Sequence, residues 1–76
     1  MRIINVIESF NNVIQSVESF GVFEEQLVDD VVKEAEEFFE KKVIEHGGSE
    51  TEIDMYIDEG GYYGMDHSVA IVWSDI

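Results

Sequence analysis

The sequence predicts an α+β fold in which an antiparallel helix hairpin packs on a small antiparallel β-hairpin sheet (ααββ). Three observations lead there. Apolar residues recur at three- and four-residue spacing from Val6 to Ile44, and the spacing changes to two after Gly47-Gly48. A glycine-rich stretch, Gly60-Gly61-Tyr62-Tyr63-Gly64, then divides the remainder.

In the first segment Val6, Ile7, Phe10, Val13, Ile14, Val17 and Phe20 fit one face of a helix. Asn5 with Glu8 three residues later resembles a capping box, and Gly21 offers a left-handed stop. The competing reading is a short extra strand before the helix, because Arg2-Ile3-Ile4-Asn5-Val6-Ile7 is rich in β-branched residues. A second helix is expected from Phe23 to His46, with Phe23, Leu27, Val28, Val31, Val32, Ala35, Phe38, Phe39, Val43 and Ile44 as its apolar positions. Glu24 and Glu25 open it, Lys41, Lys42 and His46 close it, as the helix dipole favours, and Gly47-Gly48 ends it. So little chain separates the two segments at Gly21 that the helices are expected to run antiparallel.

Beyond the glycines, Ile53, Met55 and Ile57 would line one face of a strand, with Glu50, Glu52, Asp54, Tyr56 and Asp58 on the other. A second strand is expected from Ser68 to Ser74, directing Val69, Ile71 and Trp73 one way and Ala70 and Val72 the other. Glu59 to His67 connects them, and Tyr62-Tyr63 can lengthen the first strand. Two strands need helices against one face to be stable. An outward Ala70 and Val72 then call for a cover, either a third strand (Ile3 to Ile7) or a second copy of the chain.

Composition bounds the rest. The 76 residues are expected to form one small acidic domain, 1–76, near the lower limit for a core without staples, and there is no cysteine to supply a disulfide. An apolar content of 45%, with nine aromatic residues, argues against a disordered acidic tail. No apolar run has the length of a signal peptide or a membrane span, so the expected compartment is the cytoplasm, the host cytoplasm if the chain is phage-encoded.

The charge is the outstanding feature. Eighteen Asp and Glu face four Lys and Arg, a formal −14. Duplex DNA carries one charge per roughly 1.7 Å, so 14 charges match about 24 Å of duplex, while a compact chain of this size is about 30 Å across. The charge is also localised: residues 24–59 hold fourteen acids against Lys33, Lys41 and Lys42, a net −11. On the second helix Glu25, Asp29, Glu36 and Glu40 lie near one stripe, interrupted by Lys33 and flanked by Glu34 and Glu37. On the expected strand Glu50, Glu52, Asp54 and Asp58 project together. Only Asp29–Lys33 and Glu37–Lys41 have the four-residue spacing that favours intrahelical pairing, so most of these acids are expected to be unpaired. Unpaired like charges cost stability, and more of them than solubility needs suggests a binding surface. Tyr62 and Tyr63, with Tyr56 and Glu59 nearby, would anchor a contact that the charges steer.

Catalysis finds little support: there is no cysteine, no phosphate-binding glycine loop and no nucleophile-elbow serine. His46 reads as a helix C-terminal cation and His67 as a turn residue. Asp54, Asp58, Glu59, Asp66 and His67 are close in sequence but do not have EF-hand spacing, so neither a metal site nor a cofactor is expected. The uncharged Asn11, Asn12, Gln15, Ser16 and Ser19 form either a solvent face or a place where two copies approach without repulsion.

In size, acidity and lack of catalytic motifs, the chain resembles in type the small proteins with which phages and mobile elements occupy host nucleic-acid-binding sites. These include inhibitors of uracil-DNA glycosylase, anti-restriction proteins and anti-CRISPR proteins. The likeness is one of type, without a shared motif, and it assigns no role to any residue. The reading that follows is a DNA-mimicking decoy for a basic nucleic-acid-binding protein, itself binding neither nucleic acid nor membrane. The alternatives are a self-associating adaptor, such as a homodimer, and an immunity or antitoxin protein for a basic nuclease.

Overall fold

The computed structural model describes residues 2–75. Its centre is one four-stranded antiparallel sheet made of β1 (Arg2–Phe10), β2 (Val13–Val22), β3 (Gly61–Tyr63) and β4 (His67–Asp75), in the order β2-β1-β4-β3. Between the two hairpins the chain forms a long helix, α1 (Val28–Glu45), and a short one, α2 (Ile53–Asp58), each entered through a single 3-10 turn. The class is α+β, but the arrangement is not a helix hairpin on a two-stranded sheet.

The expected first helix is a β-hairpin instead. Asn11 and Asn12 both have positive φ (51° and 65°), and Phe10 pairs with Val13 across them. Two successive left-handed residues between paired strands make a type I′ turn, whose twist suits a hairpin and which Asn tolerates better than most residues. The helix-like spacing of Val13, Ile14 and Val17 has a specific cause. The β1–β2 register shifts between Glu8 and Ser9, so that Glu8 faces Ser16 while Ser9 faces Ile14, and Gln15 is left as a bulge. The bulge places Ile14 and Val17, three residues apart, on the same side of a strand. Residues expected in a helical core are exposed: Ile14 (61%) and Val17 (51%) on the open side of the sheet, and Phe10 (46%) and Val13 (60%) at the turn.

The short N-terminal strand held as the competing reading is present and runs further, through Phe10. The second expected helix also forms, beginning at Val28 rather than Phe23. It ends on Gly47, which adopts φ +91°, and on Gly48, where a Cβ would lie 2.3 Å from Val43 Cγ1. The strand expected over residues 50–58 is a 3-10 turn followed by α2. Its buried Ile53 recurs through Tyr56 and Ile57, a helical spacing, while Met55, expected to face inward, is 44% exposed. The expected strand at 68–74 is β4, and Tyr62-Tyr63 belong to β3, paired with it.

Both helices cover the same side of the sheet. Val6 on β1, Val69 on β4, Phe39 and Val43 on α1 and Ile53 on α2 form one buried cluster, with Phe20, Phe38, Ile57 and Ile71 packed around it. Register places Ile4, Val6, Phe20, Val22, Val69 and Ile71 on this covered side. Because side chains alternate, Ala70 and Val72 lie on the opposite, open side, as the sequence suggests. The third strand does not cover them: β1 lies beside β4 in the same sheet.

Two outcomes test this architecture. Phe39→Ala, at a fully buried centre, should cost about 3–5 kcal/mol in urea denaturation, most of the stability of so small a domain. Asn12→Gly should leave stability unchanged or raised, whereas Asn12→Val should lower it by about 1–2 kcal/mol, since a β-branched residue resists positive φ.

Candidate functional site: an acidic helical layer

The fourteen acids of residues 24–59 belong to the helices and their connections, so they share one layer of the molecule. Twelve are exposed; Glu36 and Glu40 are half-buried. Glu25 lies in the 3-10 turn before α1, and Asp29 in the first turn of α1. Glu50 and Glu52 lie in the 3-10 turn before α2, Asp54 in its first turn, Asp58 at its end and Glu59 at its C-cap. The straight row expected of Glu50, Glu52, Asp54 and Asp58 along a strand is therefore absent. In its place, Asp54 and Asp58 stand one helical turn apart.

Compensation is sparse. Of these fourteen acids, only Glu45 has an ion-pair partner within 4 Å among the described residues, Lys42 Nζ at 3.5 Å. The two pairs that spacing would allow, Asp29–Lys33 and Glu37–Lys41, are not closed among the described residues. Glu24 accepts from Gln26 Nε2 (3.0 Å), and Glu52 accepts from the Tyr56 hydroxyl (2.9 Å), a hydrogen bond that holds the proton on the phenol and so raises the Tyr56 pKa.

The aromatic residues divide. Tyr62 is half-buried on the helix side, its ring edge-on to Tyr56 at 5.2 Å and tilted over His67 at 5.8 Å. Tyr63, next in the strand, is exposed on the opposite side. Tyr56 and Tyr62 thus border the acidic layer, and Tyr63 does not.

One cluster was not visible in the sequence. Glu8, on the covered side of β1, meets the C-terminal end of α1: His46 Nε2 lies 2.5 Å from Oε2, Ser16 Oγ donates to Oε1 at 2.9 Å, and Lys42 Nζ lies 3.8 Å from Oε1. The hydrogen bond with His46 holds the Glu8 carboxyl below its ordinary value of 4.5, helped by Ser16 and Lys42 and opposed by partial burial. His46 in turn stacks on His67 at 5.0 Å. Glu8, His46 and His67 are 21 or more positions apart in sequence, so no local pattern could announce them. They fasten the charged helix to the sheet through charge-assisted bonds.

A cleft of about 300 Å³ opens at the turn end of the sheet, lined by Asn11, Asn12, Met65, Asp66 and His67 among others. Among the described residues no group of three or more His, Asp or Glu side chains converges as a metal site would require, and no helix is long and apolar enough to cross a membrane. The chain matches no family model, no curated protein and no solved structure.

Because the native pKa of Glu8 is depressed, its contribution to stability is present above about 4.5 and is lost as pH falls through the native value. Glu8→Gln should therefore cost about 1–2 kcal/mol at pH 6, and the gap from wild type should close as urea titrations are repeated down to pH 3. A gap that stays constant would contradict the assignment.

Proposed function

We propose that the protein is a decoy that presents the acidic layer of α1, α2 and their connections to a basic nucleic-acid-binding surface of another protein, in the manner of the inhibitors that phages and mobile elements direct at host nucleases and anti-invader systems. The observation that carries this reading is the one-sided, uncompensated charge: a net −11 on the helical layer, with one ion-paired acid among fourteen. Such an arrangement costs stability, and an interspersed surface would give solubility without that cost.

The magnitude suits the role. The molecule measures 37 × 27 × 17 Å. Duplex DNA of its 37 Å long axis carries about 22 charges, of which a protein on one side meets about half. Eleven net charges on one layer are of that size. Glu25, Asp29, Glu36, Glu40, Glu50, Glu52, Asp54, Asp58 and Glu59 would stand where phosphates stand, with Tyr56 and Tyr62 at their border.

The test is affinity capture from a host lysate on immobilised protein, eluted with a salt gradient, followed by binding measurements with the purified partner. Affinity should fall steeply with salt, as for phosphate contacts, and duplex DNA should compete. Replacing Glu50, Glu52, Asp54 and Asp58 by Lys should weaken binding at least about 100-fold at low salt, whereas Glu18→Lys on β2 should change it little. An affinity unchanged between low and moderately high salt would exclude the reading.

A further inference from the structure

The side of the sheet away from the helices carries no charge at any described position. The strands hold four residues of fixed charge, Arg2, Glu8, Glu18 and Asp75, and register places all four on the helix side. The open side presents Ile3, Ile7, Ile14, Val17, Ala70 and Val72, with Tyr63 at the β3 edge. Ile14, Val17 and Val72 are 61%, 51% and 39% exposed, so the face is accessible in the single chain.

Three of the polar side chains on this face, Asn5, Ser19 and Ser74, are bonded to one another. Ser19 Oγ on β2 donates to Asn5 Oδ1 on β1 at 2.7 Å, and Asn5 Nδ2 donates to Ser74 Oγ on β4 at 3.2 Å. A cross-strand ladder with its own partners can lose its water at little cost, unlike unpaired amides and hydroxyls.

We propose that this face docks a second copy of the same chain, sheet against sheet about a twofold axis. The argument for a copy of itself is electrostatic. Two molecules of charge −14 repel through any approach that opposes helical layers. Edge-to-edge pairing through β2 would set two α1 helices side by side in one layer, since α1 packs over β1 and β2. Stacked sheets lie about 10 Å apart, and with each helix layer about 10 Å above its own sheet the two acidic layers end about 30 Å apart. That is several Debye lengths at about 0.15 M salt, so face-to-face association leaves the charge almost without effect. Three strands of nine or ten residues plus the short β3 offer about 500 Å² per copy from strand spacing and rise, or about 1,000 Å² in total, the lower bound for a specific interface. The proposal is independent of the decoy reading, since its test needs no basic partner.

Sedimentation velocity of the full chain at about 100 μM should give a species of about 17 kDa, twice the 8.7 kDa of one chain. Raising NaCl from 0.05 to 0.5 M should leave the dimer intact or strengthen it, the opposite of binding through the acidic layer. Val17→Asp and Val72→Lys, both at exposed positions, should keep the circular dichroism of the folded chain and each weaken association at least about 100-fold, by burying an unpaired charge. An 8.7 kDa species at about 100 μM and 0.5 M NaCl would overturn the proposal. So would a dimer that both variants leave intact, because its contact would then lie on another surface.

Discussion

Ala35, Phe39 and Val43 follow one another at four-residue spacing along α1, and all three are excluded from solvent against the sheet. The rest of the molecule depends on this line of contact. The helix that provides it is also the most acidic element of the chain, and its outward charges oppose folding. Apolar burial on one side of an 18-residue helix must therefore hold in place a charged surface that would otherwise unfold the segment. Glu8, Lys42 and His46 reinforce the line at its C-terminal end with one of the few charge-compensated contacts among the described residues.

This constraint explains the division of the molecule into two unlike sides. A single sheet with helices on one face has room for one core, so acids on the helices accumulate on the outer surface of that layer. The strands then determine what the remaining face can be. In β1, β2 and β4 all the charged residues fall on the helix side, and the other side carries only uncharged residues. Negative charge is thereby concentrated where a cationic surface could be engaged, and removed from the face where like molecules could meet.

Much of the helical half was legible in the sequence. The periodicity of residues 28–45, the double-glycine stop and the acidic bias of residues 24–59 are local patterns, and the structure retains them. The N-terminal half was misread in part because a β-bulge at Gln15 sets Ile14 and Val17 three residues apart on one side of β2, a step that a regular strand does not have. The Asn11-Asn12 pair between runs of β-branched residues was the available signal of a turn, and it outweighs the resemblance of Asn5 and Glu8 to a cap. Residues 50–58 show the opposite ambiguity. Ile53, Met55 and Ile57 alternate, yet Ile53, Tyr56 and Ile57 fit a helix equally well, and packing against Phe39 and Val43 selects the helix. The Glu8–His46–His67 cluster was beyond any local reading, because it exists only once β1 lies between β2 and β4 with α1 across them.

The one-sided placement of the acids has a consequence for motion in solution. A plate with its charge on one surface and a neutral opposite surface has a centre of charge displaced from its centre of mass. In a uniform field such a body is turned as well as pulled. Near a cationic surface it would rotate its helices toward that surface before contact, so that most encounters would begin in one orientation and few would be lost to wrong-way collisions. Two copies joined at their neutral faces would lose this dipole by symmetry and present an acidic surface in both directions. Orientation would then no longer matter, and a single assembly could bridge two cationic partners.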